Sequence, residues 1–420
     1  MIGFFFAIPK RLTMYKLLTF ILTVFSMSSN SQNIRIATFN VSMDATNYVA
    51  QNKSPIGDEL QINLSSGEHK QIQNIAEIIQ RLSPDIILLN EFDYSNQSTT
   101  DAQNFIKHYL NVSQNNNQPI DYPYFYSAPV NTGVDSGLDL DKDGIAAGTK
   151  GDAFGFGLFP GHYGMLVLSK YPIQFEEIRT FQHFLWKDMP GNLMVTIKDE
   201  NDKSYYSQQA QQILRLSSKS HWDIPIKIDD RSIHLLASHP TPPVFDGPEN
   251  RNGKRNHDEI RFWTDYLSGS EQSAYIYDDN QKLGGIKGEH FVMVGDLNAS
   301  PDEGDGIKSG IKGLIAHNLV NDTTVPQSEG GRAHTLDNQY SAQHTAEWAM
   351  RADYVLPSTS LEVKVSGVFW PKPNEPLYRL IKDRKSSSDH RLVWVDITVK
   401  NKILLATEDN EVTEEKKSEY

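Results

Sequence analysis

The sequence predicts a single domain of the α+β class, in which short β-strands mix with amphipathic helices. Three observations support this prediction: five or six apolar strands that end in polar side chains, helix-spaced apolar residues between them, and no fixed-period repeat or obvious linker to a second domain. The chain has 420 residues, of which 38% are hydrophobic and 22% are charged. It is therefore long and apolar enough to bury a substantial core.

Charge and composition exclude several classes of protein. The formal net charge is -13 and the pI is near 5.5, which argues against a broad basic surface for nucleic acid, although a local basic cleft stays open. The chain has no cysteine, so disulfides, thiolate metal sites and thiol nucleophiles are all excluded.

Residues 1–32 have the layout of a signal peptide. Lys10, Arg11 and Lys16 precede the apolar run LLTFILTVFSM, and the small polar residues SSNSQ follow it. This run is shorter than the roughly 20 residues that span a bilayer, so we expect a cleaved export signal and no stable membrane anchor. The sequence therefore predicts a secreted or periplasmic protein.

The first predicted strand, IRIATFNV, alternates its side chains with a period of two and ends at Asn40. A helix is predicted next, because four isoleucines between residues 72 and 79 have helical spacing. Ser83-Pro84 ends this helix, and the apolar strand DIILL then ends at Asn90-Glu91.

The later strands are RSIHLLASHP, EHFVMVGDLN, MRADYVLP and SSSDHRLVWVDITV. Each of them carries metal-capable or proton-transferring side chains near one terminus, namely His239, Asp296, Asn298, Asp353, Asp389 and His390. Strand ends in a packed sheet are rigid, so side chains there can be held within hydrogen-bonding reach of one another. The recurrence of this pattern predicts one polar site.

The residue types indicate the chemistry of that site. Glu91 and the amide oxygen of Asn40 are hard oxygen ligands, suited to Mg²⁺, Mn²⁺ or Ca²⁺. His239 and His390 can transfer protons near neutral pH, and Asp389 or another carboxylate could orient an imidazole. This combination suits the attack of an activated water on phosphorus.

The ordered set TFN, PDIILLNE, GMLVLSKYPI, SHP, GDLN, RADYV and SSDHRLV resembles the endonuclease/exonuclease/phosphatase superfamily, over roughly Ile34 to Val399. The resemblance implies a deoxyribonuclease I-like fold of four layers, with two packed mixed β-sheets flanked by helices and a site at one edge of the sandwich. It also implies a hydrolase that cleaves P–O bonds by direct attack of water, with Mg²⁺ or Mn²⁺ as cofactor and no covalent intermediate.

The resemblance also implies roles for individual residues. Asn40 and Glu91 match the divalent-metal site, with Glu91 as the direct carboxylate ligand. Asp296 matches the acid that orients or activates the attacking water, and Asn298 the amide that holds a phosphate oxygen. His390 matches the histidine that contacts the scissile phosphate.

Three further positions complete this comparison. Asp389 matches the carboxylate beside His390, and Asp353 the acid that supports His390 or a second metal. His239 matches a second histidine, a candidate acid for the leaving group. The sequence departs from the family at Asn90, where glutamine is usual before the metal-binding glutamate.

The predicted domain covers residues 33–400, and the charged residues 401–420 are expected to form a disordered tail. Two insertions, near 111–162 and 241–288, separate the motifs and are expected to determine the choice of substrate.

The first insertion contains the stretch DLDKDG. Asp139, Asp141 and Asp143, followed by a glycine, copy the opening of a calcium loop, but a lysine stands at the twelfth position in place of glutamate. We expect a structural Ca²⁺ if Asp135 or Asp152 completes its ligands. The alternative is a solvated acidic loop.

The second insertion carries basic residues at a helix that is predicted to begin near His257. Arg255 and Arg261 are candidates for phosphate binding, and the alternative for each is an ordinary surface ion pair.

The substrate class stays open between several alternatives. A phosphoester is expected, and a nuclease acting on nucleic acid and a general phosphodiesterase are favoured equally, although the acidic charge disfavours tight duplex binding. A phosphomonoesterase and a sphingomyelinase-like phospholipid hydrolase are alternatives, the latter because the apolar segment 183–193 could touch a membrane instead of packing as a loop. An alternative of another class is a non-catalytic binding module on the same fold.

Overall fold

The structure is a computed structural model that describes residues 33–50 and 52–399. The predicted signal peptide (1–32) and the predicted tail (401–420) lie outside the described residues.

Six strands form the first sheet, and in spatial order they are β10 (Leu361–Val368), β11 (Val393–Val399), β1 (Ile34–Met43), β2 (Ile86–Phe92), β4 (Met165–Ser169) and β3 (Tyr124–Tyr126). Strands β1 and β2 run parallel, and the other neighbours run antiparallel. The alternation predicted for β1 is not seen in its burial, because β1 lies inside the sheet and is covered on both faces, so that nearly every residue is buried.

Five strands form the second sheet, in the order β5 (Arg179–Thr180), β6 (His221–Ile228), β7 (Arg231–Ser238), β8 (Phe291–Asp296) and β9 (Asp353–Pro357). Strands β7 and β8 run parallel, so this sheet is mixed as well. The predicted fold class, two mixed sheets with helices, is thereby confirmed. Strand β6 was not predicted, because the proline at position 225 interrupts an otherwise regular alternation.

Within the described residues the α-helices are α1 (Glu59–Ser66), α2 (Lys70–Leu82), α3 (Ser98–Phe105), α4 (Gln208–Ile213), α5 (Arg251–Leu267), α6 (Gly269–Gln272), α7 (Lys308–Ile315) and α8 (Glu329–His334). A π-helical turn at Ile106–Leu110 continues α3. In the part of the chain that the structure describes, every helix is too short or too polar to span a bilayer.

Two hydrophobic cores separate the layers. Strand β7 shows the division, since Leu235 and Ala237 belong to the core shared with the first sheet and α2, whereas Leu236 belongs to the core under α5. On α5, Phe262 and Trp263 are buried in this second core. The alternation of β7 therefore places one face against the other sheet and one face against a helix.

Two further sequence predictions, one for the second insertion and one for segment 183–193, can be compared with the structure. Helix α5 begins at Arg251, six residues before the predicted start near His257, because its first turns are polar and lack the apolar periodicity of a buried helix. In segment 183–193, Phe184 and Trp186 are each 1% exposed, which confirms the packed-loop alternative for these side chains.

The buried imidazole of His221, in β6, gives a prediction about stability and pH. Its Nδ1 accepts a hydrogen bond from Ser217 Oγ (2.5 Å), and its Nε2 donates to the carbonyl oxygen of Glu259 (2.9 Å). Burial lowers the pKa of His221 to about 4, against about 6.5 in an unfolded chain. The unfolded state therefore binds more protons between these values, and stability is lost as the pH falls from about 6.5 to about 4.

We expect His221→Gln to lose less stability than the wild type over this range, by an amount on the order of 3 kcal/mol at the lower end. Urea unfolding at about pH 7 and about pH 4 measures the difference. His183→Gln, at a histidine whose side chain is 55% exposed, is the matched control. An equal loss in the wild type and in His221→Gln would contradict the prediction.

Candidate active site

The polar strand ends meet at one edge of the two sheets. Strands β1 and β2 are parallel, as are β7 and β8, so the carboxyl ends of each pair lie side by side. Strand β9 begins where β8 ends, with Asp353 paired to Asp296. Strand β11 is antiparallel to β1, so His390 before it lies beside the end of β1. The chain thus brings six strand termini to one place, as the sequence predicts.

Asn40 and Asp296 connect the two sheets at this edge. The Nδ2 of Asn40 donates to Asp296 Oδ2 (3.1 Å) and lies 3.4 Å from His390 Nε2. The other oxygen of Asp296 accepts from the backbone N–H of Asn298 (2.9 Å). Asn90, the departure from the family pattern, accepts a hydrogen bond through its Oδ1 from the backbone N–H of Asp296 (3.2 Å). This bond holds the backbone of the residue that carries the carboxylate.

His390 is a buried, positively charged imidazole. Its Nδ1 lies 2.9 Å from Asp353 Oδ2, and its Nε2 lies 3.6 Å from Asp296 Oδ2. Burial alone would lower the pKa of His390, but the charges of Asp353 and Asp296 outweigh burial and raise it to about 10. At neutral pH this histidine therefore holds a proton on the nitrogen that faces the site.

His239, unlike His390, is a neutral imidazole at neutral pH. Its Nε2 lies 3.4 Å from Asp296 Oδ2, and its buried Nδ1 has no hydrogen-bond partner among the described residues. Burial, with the nearby charges of Lys219 and His390, holds its pKa well below the usual range. A neutral imidazole fits a proton acceptor better than the leaving-group acid implied by the resemblance. Burial also raises the pKa of Asp296 to about 6.

Left-handed backbone conformations aim several of these side chains. Ser42, Glu91 and Asn298 have φ angles of 48°, 54° and 50°. Each such residue costs on the order of 1–3 kcal/mol, and the surrounding sheet must hold it in place. Gly295 allows the close approach of β7 and β8, since a Cβ there would lie 2.0 Å from the carbonyl oxygen of Ser238. The glycine of GDLN is thus required for packing, whereas Asp296 and Asn298 of the same motif belong to the site.

A second group of carboxylates surrounds Glu91. Asp44, at the end of β1, and Asp389 join it, and all three accept from the guanidinium of Arg384 at 3.0–3.3 Å. Burial, together with the charges of Asp44 and Asp389 and against that of Arg384, raises the pKa of Glu91 to about 7. This group has more negative charge than its surroundings neutralise.

The residues at this position fit a hard divalent cation. Three carboxylates converge on one cationic group, which acts as a stand-in for an ion at the place where their oxygens meet. The Oδ1 of Asn40 accepts one hydrogen bond, from the backbone N–H of Ser42 (3.2 Å), so a lone pair is left for a cation. Asp296, Asp353 and His390 form a further group whose ligand atoms lie within 4.8 Å of one another.

Lys219 is a site residue that the sequence analysis missed. It is 5% exposed and precedes β6, where its ammonium interacts electrostatically with Glu91, Asp296 and His239. Glu259 on α5 holds the segments on both sides, since its carboxylate accepts from the backbone N–H groups of Ser218 (2.5 Å) and Thr241 (2.7 Å). The sequence signal for Lys219 was a lysine among small polar residues just before an apolar strand. That strand, β6, was itself not predicted.

Asp44 and Arg384 were missed as well. Asp44 follows the predicted end of the first strand at Asn40, whereas β1 continues to Met43 and carries it to the site. Arg384 lies in KDRKSSSDH, which looks like an exposed basic loop. His162 and His344 lie outside the helices and strands and are fully buried, and His162 Nε2 lies 3.5 Å from Asp44 Oδ1.

The structure gives the two candidate phosphate-binding arginines other partners. Arg255 donates to the backbone carbonyl oxygens of residues 154, 215, 216 and 217. Arg261 donates to the carbonyl oxygens of Pro190 and Gly191 and pairs with Asp265 (3.2 Å). These contacts fix loops around α5, so the phosphate-binding role of both arginines stays a prediction.

In the predicted calcium loop, Asp152 completes a group with Asp139 and Asp141, whose ligand oxygens lie within 4.8 Å of one another. Asp143 is outside this group, and its carboxylate accepts from the backbone N–H of residue 145 (2.8 Å). The loop is separate from the strand-end site, and its calcium ion stays a prediction.

Buried acids, a charged histidine and a carboxylate cluster thus lie together at one edge of the two mixed sheets. The sequence profile of the Endonuclease/Exonuclease/phosphatase family matches residues 37–390, and the chain belongs to this family. The family resemblance drawn from the sequence is thereby confirmed. A search of curated proteins finds no match.

Three similar solved structures illustrate the range of relatives. An endonuclease/exonuclease/phosphatase from Beutenbergia cavernae is 15% identical, with a TM-score of 0.48, and the match covers 88% of this chain and 72% of that one. The human Nocturnin catalytic domain is 14% identical, with a TM-score of 0.44 and coverage of 88% and 95%. A Staphylococcus aureus beta toxin is 15% identical, with a TM-score of 0.43 and coverage of 87% and 100%.

The charge state of His390 can be measured directly. In metal-free protein we expect His390 to stay protonated through neutral pH and to titrate at about 10, and its pKa to fall in Asp353→Asn because the nearest opposing charge is removed. NMR of ¹⁵N-histidine-labelled protein across this range measures both values. Asp322→Asn, which removes a carboxylate paired with Arg351, is the control and should leave His390 unchanged. An ordinary histidine pKa for His390 in the wild type would refute the assignment.

Proposed function

We propose that the protein is a divalent-metal-dependent phosphoesterase that hydrolyses P–O bonds by direct attack of water, and that it acts as a phosphodiesterase or nuclease. The observation that carries the proposal is the hydrogen-bonded group of Asn40, Asp296, His390 and Asp353, in which a charged imidazole lies 3.6 Å from a carboxylate. Membership of the family supports the same class of reaction.

The attacking water is activated on the side of Asp296. One oxygen of this carboxylate is fixed by the backbone of Asn298, and the other faces the site, where it takes a proton from water as the new P–O bond forms. His390 donates its Nε2 proton in a hydrogen bond to a non-bridging phosphate oxygen, and the ammonium of Lys219 balances charge on the phosphate. Charge that develops in the transition state is thereby met by fixed cations.

The leaving oxygen departs on the opposite side, toward Glu91, because displacement at phosphorus requires the attacking and leaving oxygens to be in line. Glu91 and Asn40, with Asp44 and Asp389 close by, would hold the divalent cation there. When bound, Mg²⁺ or Mn²⁺ would supply positive charge that offsets the charge of the phosphate. The leaving oxygen takes its proton from solvent.

The charges of the site favour a diester over a monoester. Five carboxyl groups face three cationic groups, which are His390, Lys219 and Arg384. Before a metal binds, this excess of acids repels the two charges of a monoester more than the single charge of a diester. Trp348 supports a substrate that carries a second ester group on the phosphate. This residue is 47% exposed, and its ring centroid lies 4.7 Å from that of His390 in a T-shaped arrangement.

Activity on bis-p-nitrophenyl phosphate tests the proposal. With Mg²⁺ or Mn²⁺ we expect hydrolysis that EDTA abolishes, and a loss of about 10³-fold in kcat/KM for His390→Ala, since that variant removes the cation facing the phosphate. His183→Ala, at a largely exposed histidine, is the matched control and should keep full activity.

A panel of natural substrates then separates the alternatives. Hydrolysis of DNA or RNA supports the nuclease, whereas a preference for inositol phosphates supports a phosphomonoesterase and for sphingomyelin a phospholipid hydrolase. Equal rates for the wild type and His390→Ala on the chromogenic diester would sink the catalytic assignment and favour a binding module. Export of the protein stays a prediction of the sequence.

A structural calcium ion in the first insertion is a separate proposal. We expect Ca²⁺ to raise the melting temperature of the wild type, and Asp141→Ala to remove this rise, because Asp141 is one of the three carboxylates whose oxygens lie within 4.8 Å of one another. Glu176→Ala, at an exposed carboxylate elsewhere, is the control. The absence of a Ca²⁺-dependent shift in the wild type would remove the proposal.

A further inference from the structure

The segment before β11 places a guanidinium on the carboxylates that surround Glu91. The Nη2 of Arg384 lies 3.0 Å from Asp44 Oδ2 and 3.3 Å from Glu91 Oε2, and its Nη1 lies 3.3 Å from Asp389 Oδ2. Its Nε donates to the side-chain oxygen of Asn47 (3.2 Å). One side chain thus contacts acids from the ends of β1 and β2 and from the segment before β11.

These contacts put Arg384 in competition with a metal ion. The guanidinium is always charged, and it contacts Oε2 of Glu91, a carboxylate oxygen of the kind that a divalent cation would bind. Two cations this close to each other repel strongly in a partly buried site, so both cannot keep full contact with Glu91.

The arginine is also placed to move. Its side chain is 40% exposed, whereas that of Asp44 is fully buried and that of Glu91 is 17% exposed. The guanidinium therefore lies over the carboxylates on the solvent side, where it can rotate away without opening the core.

In the metal-free protein, the carboxylates around Glu91 require a nearby positive charge such as that of Arg384. Asp44 directly follows β1 and Glu91 lies near the end of β2, so the backbone of the first sheet holds both, and they cannot separate to relieve their repulsion. A counter-ion on the chain removes that repulsion while no metal is bound.

We propose that Arg384 is a tethered counter-ion of the metal site, which neutralises Glu91, Asp44 and Asp389 in the metal-free protein and is displaced from Glu91 when a divalent cation binds. The proposal rests on the proposed function in one respect, that Glu91 binds the metal. Its consequence is that the metal affinity of the protein is set by competition with Arg384.

Binding of Mn²⁺, measured by electron paramagnetic resonance on the full chain, tests the proposal. We expect Arg384→Gln to bind Mn²⁺ about tenfold more tightly than the wild type, because the ion pair between Arg384 and Glu91 no longer has to be broken and the guanidinium no longer repels the ion. The matched control is Lys385→Gln, which removes the same charge from the exposed neighbouring residue and should leave the affinity within about twofold.

A second variant guards against failure of the first to fold. Arg384→Lys keeps the charge but presents a single ammonium in place of the fork that reaches three carboxylates, so we expect a shift of about threefold in the same direction. The melting temperature in EDTA should also fall in Arg384→Gln and be recovered on addition of Mn²⁺ by more than the wild type gains.

The outcomes separate this proposal from the proposed function. If Glu91→Gln loses Mn²⁺ binding but Arg384→Gln binds as the wild type or more weakly, the counter-ion role is overturned and the metal-dependent function stands. If Mn²⁺ binding is absent from the wild type and from Arg384→Gln, both proposals fail. Tighter binding in Lys385→Gln to the same extent as in Arg384→Gln would reduce the effect to net charge and also overturn the role.

Discussion

The hydrogen bonds on Asp296 are the interaction on which the site depends. Asn40, from the first sheet, donates to its side chain, and Asn90, from the neighbouring strand, accepts from its backbone N–H. Both contacts cross from one sheet to the other and are buried, so their loss would leave polar groups without partners and without access to water. The register between the two sheets at this edge is therefore fixed by the same amides that organise the chemistry.

Charge balance is the second constraint. Asp353 and Asp296 hold His390 protonated, while Arg384 neutralises the carboxylates around Glu91. Each cation pairs with acids from different strand ends. The charges of the site are therefore balanced only when these strand ends are assembled. This coupling makes the fold and the function difficult to separate, since an error in either sheet leaves an unpaired buried charge.

Much of the architecture could be predicted from the sequence, and the reasons for the misses are physical. The strands with Asn40, Glu91, Asp296 or His390 near one end are recognisable, because an apolar run there adjoins polar residues. Strand β6 and Lys219 were missed together, since a proline hid the strand that gives the lysine its position. Arg384 could not be identified from local pattern, because two of its three carboxylate partners are 293 and 340 residues away along the chain.

The left-handed conformations at Ser42, Glu91 and Asn298 have a consequence for the evolution of the protein. Glycine adopts these angles without steric cost, so glycine at any of the three would relax the backbone while deleting a polar side chain at the site. Selection for robustness alone would drive these positions toward glycine. Their side chains thus mark a trade-off, in which the scaffold tolerates local strain so that the reactive groups point inward.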